Sequence, residues 1–150
     1  MLTIHAADEL RFGWDDSEPV KGGAVVVEGA RVAATGPLSE LQERFPGARV
    51  RRWPGVLGPA RIHEGPLPDA PTPRERIHAV LKLGAAAVLA EHADSPELRA
   101  AAERNDVVVL PSAERRPAII QTGRADLAVF DETGACIATV CAGRLVHRRR

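Results

Sequence analysis

Apolar and polar positions alternate toward both ends of the chain and take a helical period in its middle. Leu2-Thr-Ile-His-Ala6 alternates and predicts a strand, with Leu10-Arg-Phe12 long enough for a second, short one. Trp14 to Gly23 is polar, carries Pro19 and paired glycines, and reads as a loop. Ala24–Glu28 and Arg31–Thr35 then flank Gly29-Ala30. A two-residue loop with glycine first suits a type II′ turn, so this is a β-hairpin. Leu38 and Leu41 are spaced for a short helix that Pro46-Gly47 stops, and Arg49 to Trp53 is another strand. The stretch Gly55–Leu67 mixes glycines and prolines with apolar residues, which predicts a crossing between layers and not the interior of an element.

After that crossing the period changes. Thr72-Pro-Arg-Glu75 is a capping box, with threonine as N-cap, proline at the first helical position and glutamate at the third. Ile77, Val80 and Leu81 follow at helical spacing and Gly84 closes the helix. Ala86–Ala90 is a buried strand by composition, Ser95-Pro96 opens a second helix ending near Asn105, and Val107–Leu110 is a strand halted by Pro111. Helix, strand, helix, strand with short links implies two parallel strands joined by a right-handed crossover. Three more strands close the chain, Ala125–Asp131, Ala135–Cys141 and Arg144–His147, with turns at Glu132–Gly134 and Ala142-Gly143. The fold class expected is α/β (α+β). Residues 1–67 and 113–150 form a composite β-sandwich, and residues 68–112 form an inserted αβαβ segment.

Two stretches carry a more specific signal. Gly23-Ala-Val-Val-Val-Glu-Gly-Ala-Arg-Val-Ala-Ala-Thr-Gly36 resembles the opening hairpin of amidohydrolases. Gly123-Arg-Ala-Asp-Leu-Ala-Val-Phe-Asp131, followed by Thr139-Val-Cys-Ala-Gly-Arg-Leu-Val146, resembles the end of that superfamily's metal-dependent hydrolases. The N-terminal half is most similar to the composite sheet domain of imidazolonepropionase and aminodeoxyfutalosine deaminase. The resemblance covers roughly residues 1–67 and 117–148. It implies two sheet segments flanking a catalytic barrel, whose entering strand carries Pro-Gly-x-x-Asp-x-His-x-His to hold a water-activating metal. This chain reads Gly58-Pro-Ala-Arg-Ile-His-Glu-Gly-Pro-Leu67 there. In every register a metal position falls on Glu64, Gly65 or Pro66, and the His-x-His pair is absent. A barrel of this type needs about 200 residues, whereas Pro68 to Ser112 accommodates two strand-helix units. Asp126 lies in the terminal sheet motif and is not carried over as a catalytic aspartate.

Composition narrows the classes. Lysine plus arginine and aspartate plus glutamate balance at 20 each, so no global field recruits nucleic acid or anionic lipid. No apolar run reaches the roughly 18 residues of a membrane helix, and Met1–Glu9 lacks the basic start and apolar segment of a signal peptide. A cytoplasmic location is the expectation. Cys136 and Cys141 are five apart in one predicted strand, which puts them about 16 Å apart on opposite faces, beyond disulfide reach.

Among chemistry-bearing residues, His63-Glu64 stands at the predicted crossing, and Glu91-His92 with Asp94 follows a strand at its C-terminal end, where sites in parallel α/β units collect. His63, Glu64 and His92 are thus the candidates for a rebuilt metal or acid–base site. The bland alternative is a solvated strand end, and it is preferred: no catalytic, cofactor-binding or metal residue is assigned and no cofactor is expected. His78 reads as surface, His5 and His147 as structural sheet histidines, and the two cysteines as core packing. Arg49, Arg51, Arg52 and Arg148–Arg150 read as a solvated basic region. The functional expectation is a non-catalytic amidohydrolase-like protein with a binding, regulatory or scaffold role. The alternative is a hydrolase of non-peptide C–N bonds around His63, Glu64 and His92. Partners expected are a second copy in a homodimer and a protein or small-molecule ligand, with neither nucleic acid nor membrane.

Overall fold

The computed structural model describes residues 2–149. Its larger layer is one eight-stranded sheet. The first half supplies β1 (Leu2–Leu10), β2 (Val20–Lys21), β3 (Gly23–Glu28), β4 (Arg31–Pro37) and β5 (Arg49–Pro59); the last third supplies β9 (Leu127–Phe130), β10 (Cys136–Cys141) and β11 (Arg144–Arg148). The order is β11-β10-β9-β5-β1-β3-β4, with β2 on the end of β1. The chain ends meet where β5 pairs antiparallel with β9, from Val56↔Phe130 to Pro59↔Leu127. In the β3–β4 hairpin Gly29 has a φ of 59°. Ala30 is not left-handed, as a type II′ turn requires.

The composite sandwich takes the form of a single sheet that rolls over and packs on itself. Leu10, Val25, Val27, Leu57, Leu127 and Val140 come from five different strands and form one cluster inside the roll. At the seam, the Val32 amide donates to the Gly123 carbonyl at 2.9 Å and the Ala125 amide to the Ala30 carbonyl at 2.7 Å. On the outer face Ile4, Val26 and Ala34 pack under Leu41 of α1 (Leu38–Arg44).

The stretch Gly55–Pro59 is strand interior, contrary to the crossing predicted from its glycines and prolines. β5 runs through it, and each glycine answers a close approach. Gly55 has a φ of 94° at the point where the parallel β1–β5 register shifts, and a Cβ there would lie 2.2 Å from the Phe130 carbonyl oxygen. Gly58 lies under the Trp14 indole, 2.6 Å from a hypothetical Cβ. The crossing is Ala60 alone.

Beyond Ala60 comes a three-stranded parallel sheet ordered β6-β7-β8 (Arg61–His63, Ala85–Leu89 and Val108–Leu110). The pattern predicts two of these strands; β6 is too short to show a period. Between them run α2 (Pro73–Lys82) and α3 (Pro96–Arg104). Both start as expected: the Glu75 amide donates to Thr72 Oγ1 and the Leu98 amide to Ser95 Oγ, each at 3.1 Å. Ile77, Val80, Leu81, Leu98 and Ala102 bury one face of this small sheet. α2 also touches the rolled sheet, where Thr139 Oγ1 donates to the Leu81 carbonyl at 2.7 Å.

The two cysteines share a face. A register shift between Cys136 and Ala138 inserts an extra residue into β10 and reverses the alternation. Cys136 Sγ then lies 3.3 Å from Thr139 Oγ1, while Cys141 joins the core beneath the helices. Both thiols are free. No helix among the described residues is long and apolar enough to cross a membrane.

Candidate functional site

The helices cover one face of the small sheet. Its other face opens on a cleft of about 640 Å³. Alternation along the strands puts Ile62, Ala87, Val108 and Leu110 on the cleft floor, while their neighbours Val88 and Val109 point to the helices. The opposite wall is the irregular segment 115–126, held in place by the Ile119 amide donating to the Phe12 carbonyl at 2.8 Å and by the seam with β4. That wall and β6 bring four arginines to the cleft, Arg61, Arg115, Arg116 and Arg124, against a single carboxylate, Asp126.

Two of these cations are committed. Arg124 Nε donates to Asp126 Oδ1 at 2.9 Å, and its terminal nitrogen reaches the Asp106 carbonyl and Cys141 Sγ. Burial opposes its charge, but the hydrogen bond and charge of Asp126 outweigh that and raise its pKa. Asp126 Oδ1 also accepts from the Ala142 amide at 2.8 Å, so this oxygen acts as a structural brace between Arg124 and the turn before β11. Arg116 pairs with Asp15, tying the wall to the loop before β2. Among the described residues no carboxylate pairs with Arg61 or Arg115. The Arg61 guanidinium sits 4.1 Å from the centre of the Phe130 ring and 4.9 Å from that of Trp14. Trp14 is itself fixed by donating Nε1 to the Pro59 carbonyl at 2.7 Å.

Of the residues singled out by sequence, Glu64 lines the smaller adjoining pocket with Arg61, Arg115 and Arg116, and the histidines lie outside the cleft. His63 is the last residue of β6 and His92 follows the adjacent parallel strand β7, so they share the C-terminal rim of the small sheet. His63 Nε2 is turned onto the Pro66 carbonyl at 2.9 Å, and Glu64 is exposed. His92 Nε2 lies 3.8 Å from Glu91 Oε1, and Asp94 is exposed. Among the described residues no group of three or more histidine, cysteine, aspartate or glutamate side chains can hold a metal ion. The donor set therefore does not fit the metal that the resemblance implies. His5 is buried in β1, where Trp53 Nε1 donates to its Nδ1 at 3.2 Å. Burial, and then the charge of Arg51, lower its pKa to about 4. His78 is exposed on α2 and His147 points Nε2 at the Cys136 carbonyl. Burial raises the pKa of both thiols, that of Cys141 to about 11. Arg51 feels the charges of Arg49 and Arg148, which gathers three of the basic residues into one patch. Arg150 lies outside the described residues.

The cleft arginines escape a linear reading because they are scattered at 61, 115, 116 and 124, and only the β5–β9 pairing and the seam bring them together. The one available signal is Arg61, standing inside the stretch where the resemblance leads one to look for histidines.

Residues 23–48 match the family described as imidazolonepropionase-like composite domain, bacteria. No curated protein matches the chain. Among solved structures the chain is similar to the guanine deaminase of E. coli, with a TM-score of 0.54 and 13% identity over 73% of this chain and 35% of that one. It is also similar to A. niger ochratoxinase, with a TM-score of 0.53 and 19% identity over 72% and 30%. An adenosine deaminase from Xanthomonas campestris with bound zinc gives a TM-score of 0.57 and 14% identity over 72% and 33%. At these identities the likeness is one of fold, and the chain spans about a third of the length of these proteins. Residues 23–48 are thus imidazolonepropionase-like in sequence, and their strands lie in a composite sheet that is interrupted by three short parallel strands and shares its fold in part with these deaminases and with ochratoxinase.

Proposed function

We propose that the chain is a non-catalytic, amidohydrolase-like binding module whose ligand lies in the cleft over the small sheet. One observation carries this reading: the cleft has an apolar floor and an arginine rim, and its one carboxylate braces Arg124 and the Ala142 amide through Oδ1. Such a lining holds a ligand, and among the described residues it contains no histidine, cysteine, serine or threonine to serve as base or nucleophile. The test is elemental analysis of protein purified without chelator. Zinc, iron and manganese well below one atom per chain are expected.

A second reading has one observation in its favour, the shared rim of His63 and His92. It is a hydrolase of non-peptide C–N bonds built around His63, Glu64 and His92. About one metal per chain, lost in both His63→Ala and His92→Ala, would overturn the non-catalytic reading and establish this one.

The module is further proposed to form a two-fold dimer. The outer edge of β8 has no strand partner among the described residues, and Val108, Val109 and Leu110 are only half-buried. Open edges with apolar flanks are paired or covered, most simply by a second copy. Light scattering at micromolar concentration is expected to give twice the 16.0 kDa chain mass, and a clean monomer rules the dimer out.

A further inference from the structure

We infer that the cleft takes an amphiphilic organic anion, its carboxylate or phosphate head held by Arg61 and Arg115 and its apolar body laid on Ile62, Val108 and Leu110. This deepens the binding reading above and rests on it.

Charge decides the sign of the ligand. Arg124 and Arg116 pair with Asp126 and Asp15, whereas no carboxylate among the described residues pairs with Arg61 or Arg115. Glu64 lines the adjoining pocket beside them, and arginines still outnumber carboxylates on the rim. A cation is repelled there and a neutral molecule leaves both guanidinium groups unused. Both present planar forks of donors suited to the two oxygens of a carboxylate or phosphate.

The floor decides the body. Ile62, Val108 and Leu110 are half-buried, and Ile120 stands 64% exposed on the facing wall. A large apolar side chain beside free arginines gains burial from a ligand carrying both an acid and hydrocarbon. The volume, about 640 Å³, is in the range of small-molecule sites.

Arg61 is also pre-set. Its guanidinium rests on Phe130 and Trp14, Trp14 is hydrogen-bonded to Pro59, and Gly58 makes room for the indole. Holding the fork in place before binding reduces the rotamer freedom lost when an anion docks. Nucleic acid fits less well, because the chain has no net charge and the floor is apolar.

Calorimetric titration tests this with octanoate and octyl phosphate as probes, and octanol, octylamine and acetate as controls. One or both anionic probes are expected to bind, competing with each other, and all three controls to bind much more weakly. The tighter of the two assigns the head group as carboxylate or phosphate. Arg61→Ala and Arg115→Ala are each expected to weaken binding about 10- to 100-fold, the loss of one charged hydrogen-bonding partner. Leu110→Glu is expected to abolish binding by placing like charge on the floor. Thermal melts confirm that each variant is folded, and Arg61→Lys replaces Arg61→Ala if that one is not. Three results overturn the inference: neither anion binding at millimolar concentration, octanol binding as tightly as octanoate, or binding unchanged in folded Arg61 and Arg115 variants. None of them touches the metal assay, so the non-catalytic reading stands or falls separately.

Discussion

The rolled sheet and the small parallel sheet use the same kind of strand and end in different states. Ala24-Val-Val-Val27 in one and Ala85–Leu89 in the other are near-continuous apolar runs, as strands covered on both faces are. In the rolled sheet that cover is complete. The sheet closes on itself at the seam and α1 lies on its back, so Ile4, Leu10, Val25 and Leu57 are all 0% exposed. In the small sheet α2 and α3 cover one face, while the other is roofed by an irregular segment that stands off it and leaves a cleft. A sheet that folds over itself leaves no room between its faces. A sheet roofed by a loop does, and a binding site can sit there without disturbing the core that holds the chain together.

One substitution made in both places asks how deep that difference goes. Leu57→Ala, inside the roll, is expected to cost about 2–5 kcal/mol in unfolding free energy, the transfer term plus an unrelaxed cavity. Leu110→Ala, on the cleft floor, removes the same atoms from a half-buried position with space beside it, and is expected to cost about 1 kcal/mol or less. Denaturant titration of both variants measures this. Equal losses would mean the cleft floor is core and the two sheets do not differ.

Acid sharpens the same contrast, because the buried histidine belongs to the rolled sheet. His5 falls from its ordinary 6.5 to about 4 in the folded chain, through burial first and then Arg51. Above pH 6.5 it is neutral in both folded and unfolded chains. Between 6.5 and about 4 the unfolded chain takes up a proton that the folded chain refuses, so this stabilisation is lost as pH falls through that window. The full loss is about 3 kcal/mol. Replacing it by His5→Gln, which keeps an acceptor for Trp53 Nε1, is expected to flatten the pH dependence of the denaturation midpoint there. An unchanged slope would place the acid sensitivity elsewhere.

Much of both sheets was legible in the residues, for local reasons. The 23–37 hairpin carries its own turn glycine, and α2 and α3 carry their own caps at Thr72 and Ser95. What failed needed partners distant in sequence. Gly55 and Gly58 look like breakers until Phe130 and Trp14 are seen lying against them. The face of Cys136 depends on a bulge that β9 imposes on β10. The roll depends on a seam between residues near 31 and near 124. The site failed for the same reason: attention to histidine and glutamate at fixed spacing leads to His63 and His92, whereas the cleft is made of arginines collected by the topology.

The caps ask whether the small sheet stands alone. Thr72→Ala and Ser95→Ala are each expected to cost about 1 kcal/mol, the usual worth of an N-cap. Because α2 packs on both β7 and β10, the loss is expected as a shift of one cooperative melt. An early separate transition, with the rolled sheet melting where it did before, would show that the two sheets unfold independently.

At Arg61 a small expected effect on stability meets a large expected effect on binding. Arg61 contributes to the fold only through its guanidinium over Phe130 and Trp14, and its side chain is exposed. Cation–π contacts at exposed positions are worth about 0.5–1 kcal/mol. Its backbone amide, which donates to the Gly84 carbonyl at 2.8 Å and anchors β6 beside β7, survives any side-chain change. Arg61→Ala is therefore expected to unfold within about 1 kcal/mol of the parent chain, while octanoate or octyl phosphate binding drops sharply. Arg61→Met separates the two parts of the side chain. It restores most of the packing over Phe130 without the charge, so stability should return to near the parent value and binding should not. If Arg61→Ala instead destabilises as much as Leu57→Ala, the Trp14–Arg61–Phe130 stack is a brace holding the rolled sheet to the small one. Stability and binding would then share a residue, and the separation between the two sheets would not hold at the point where they join.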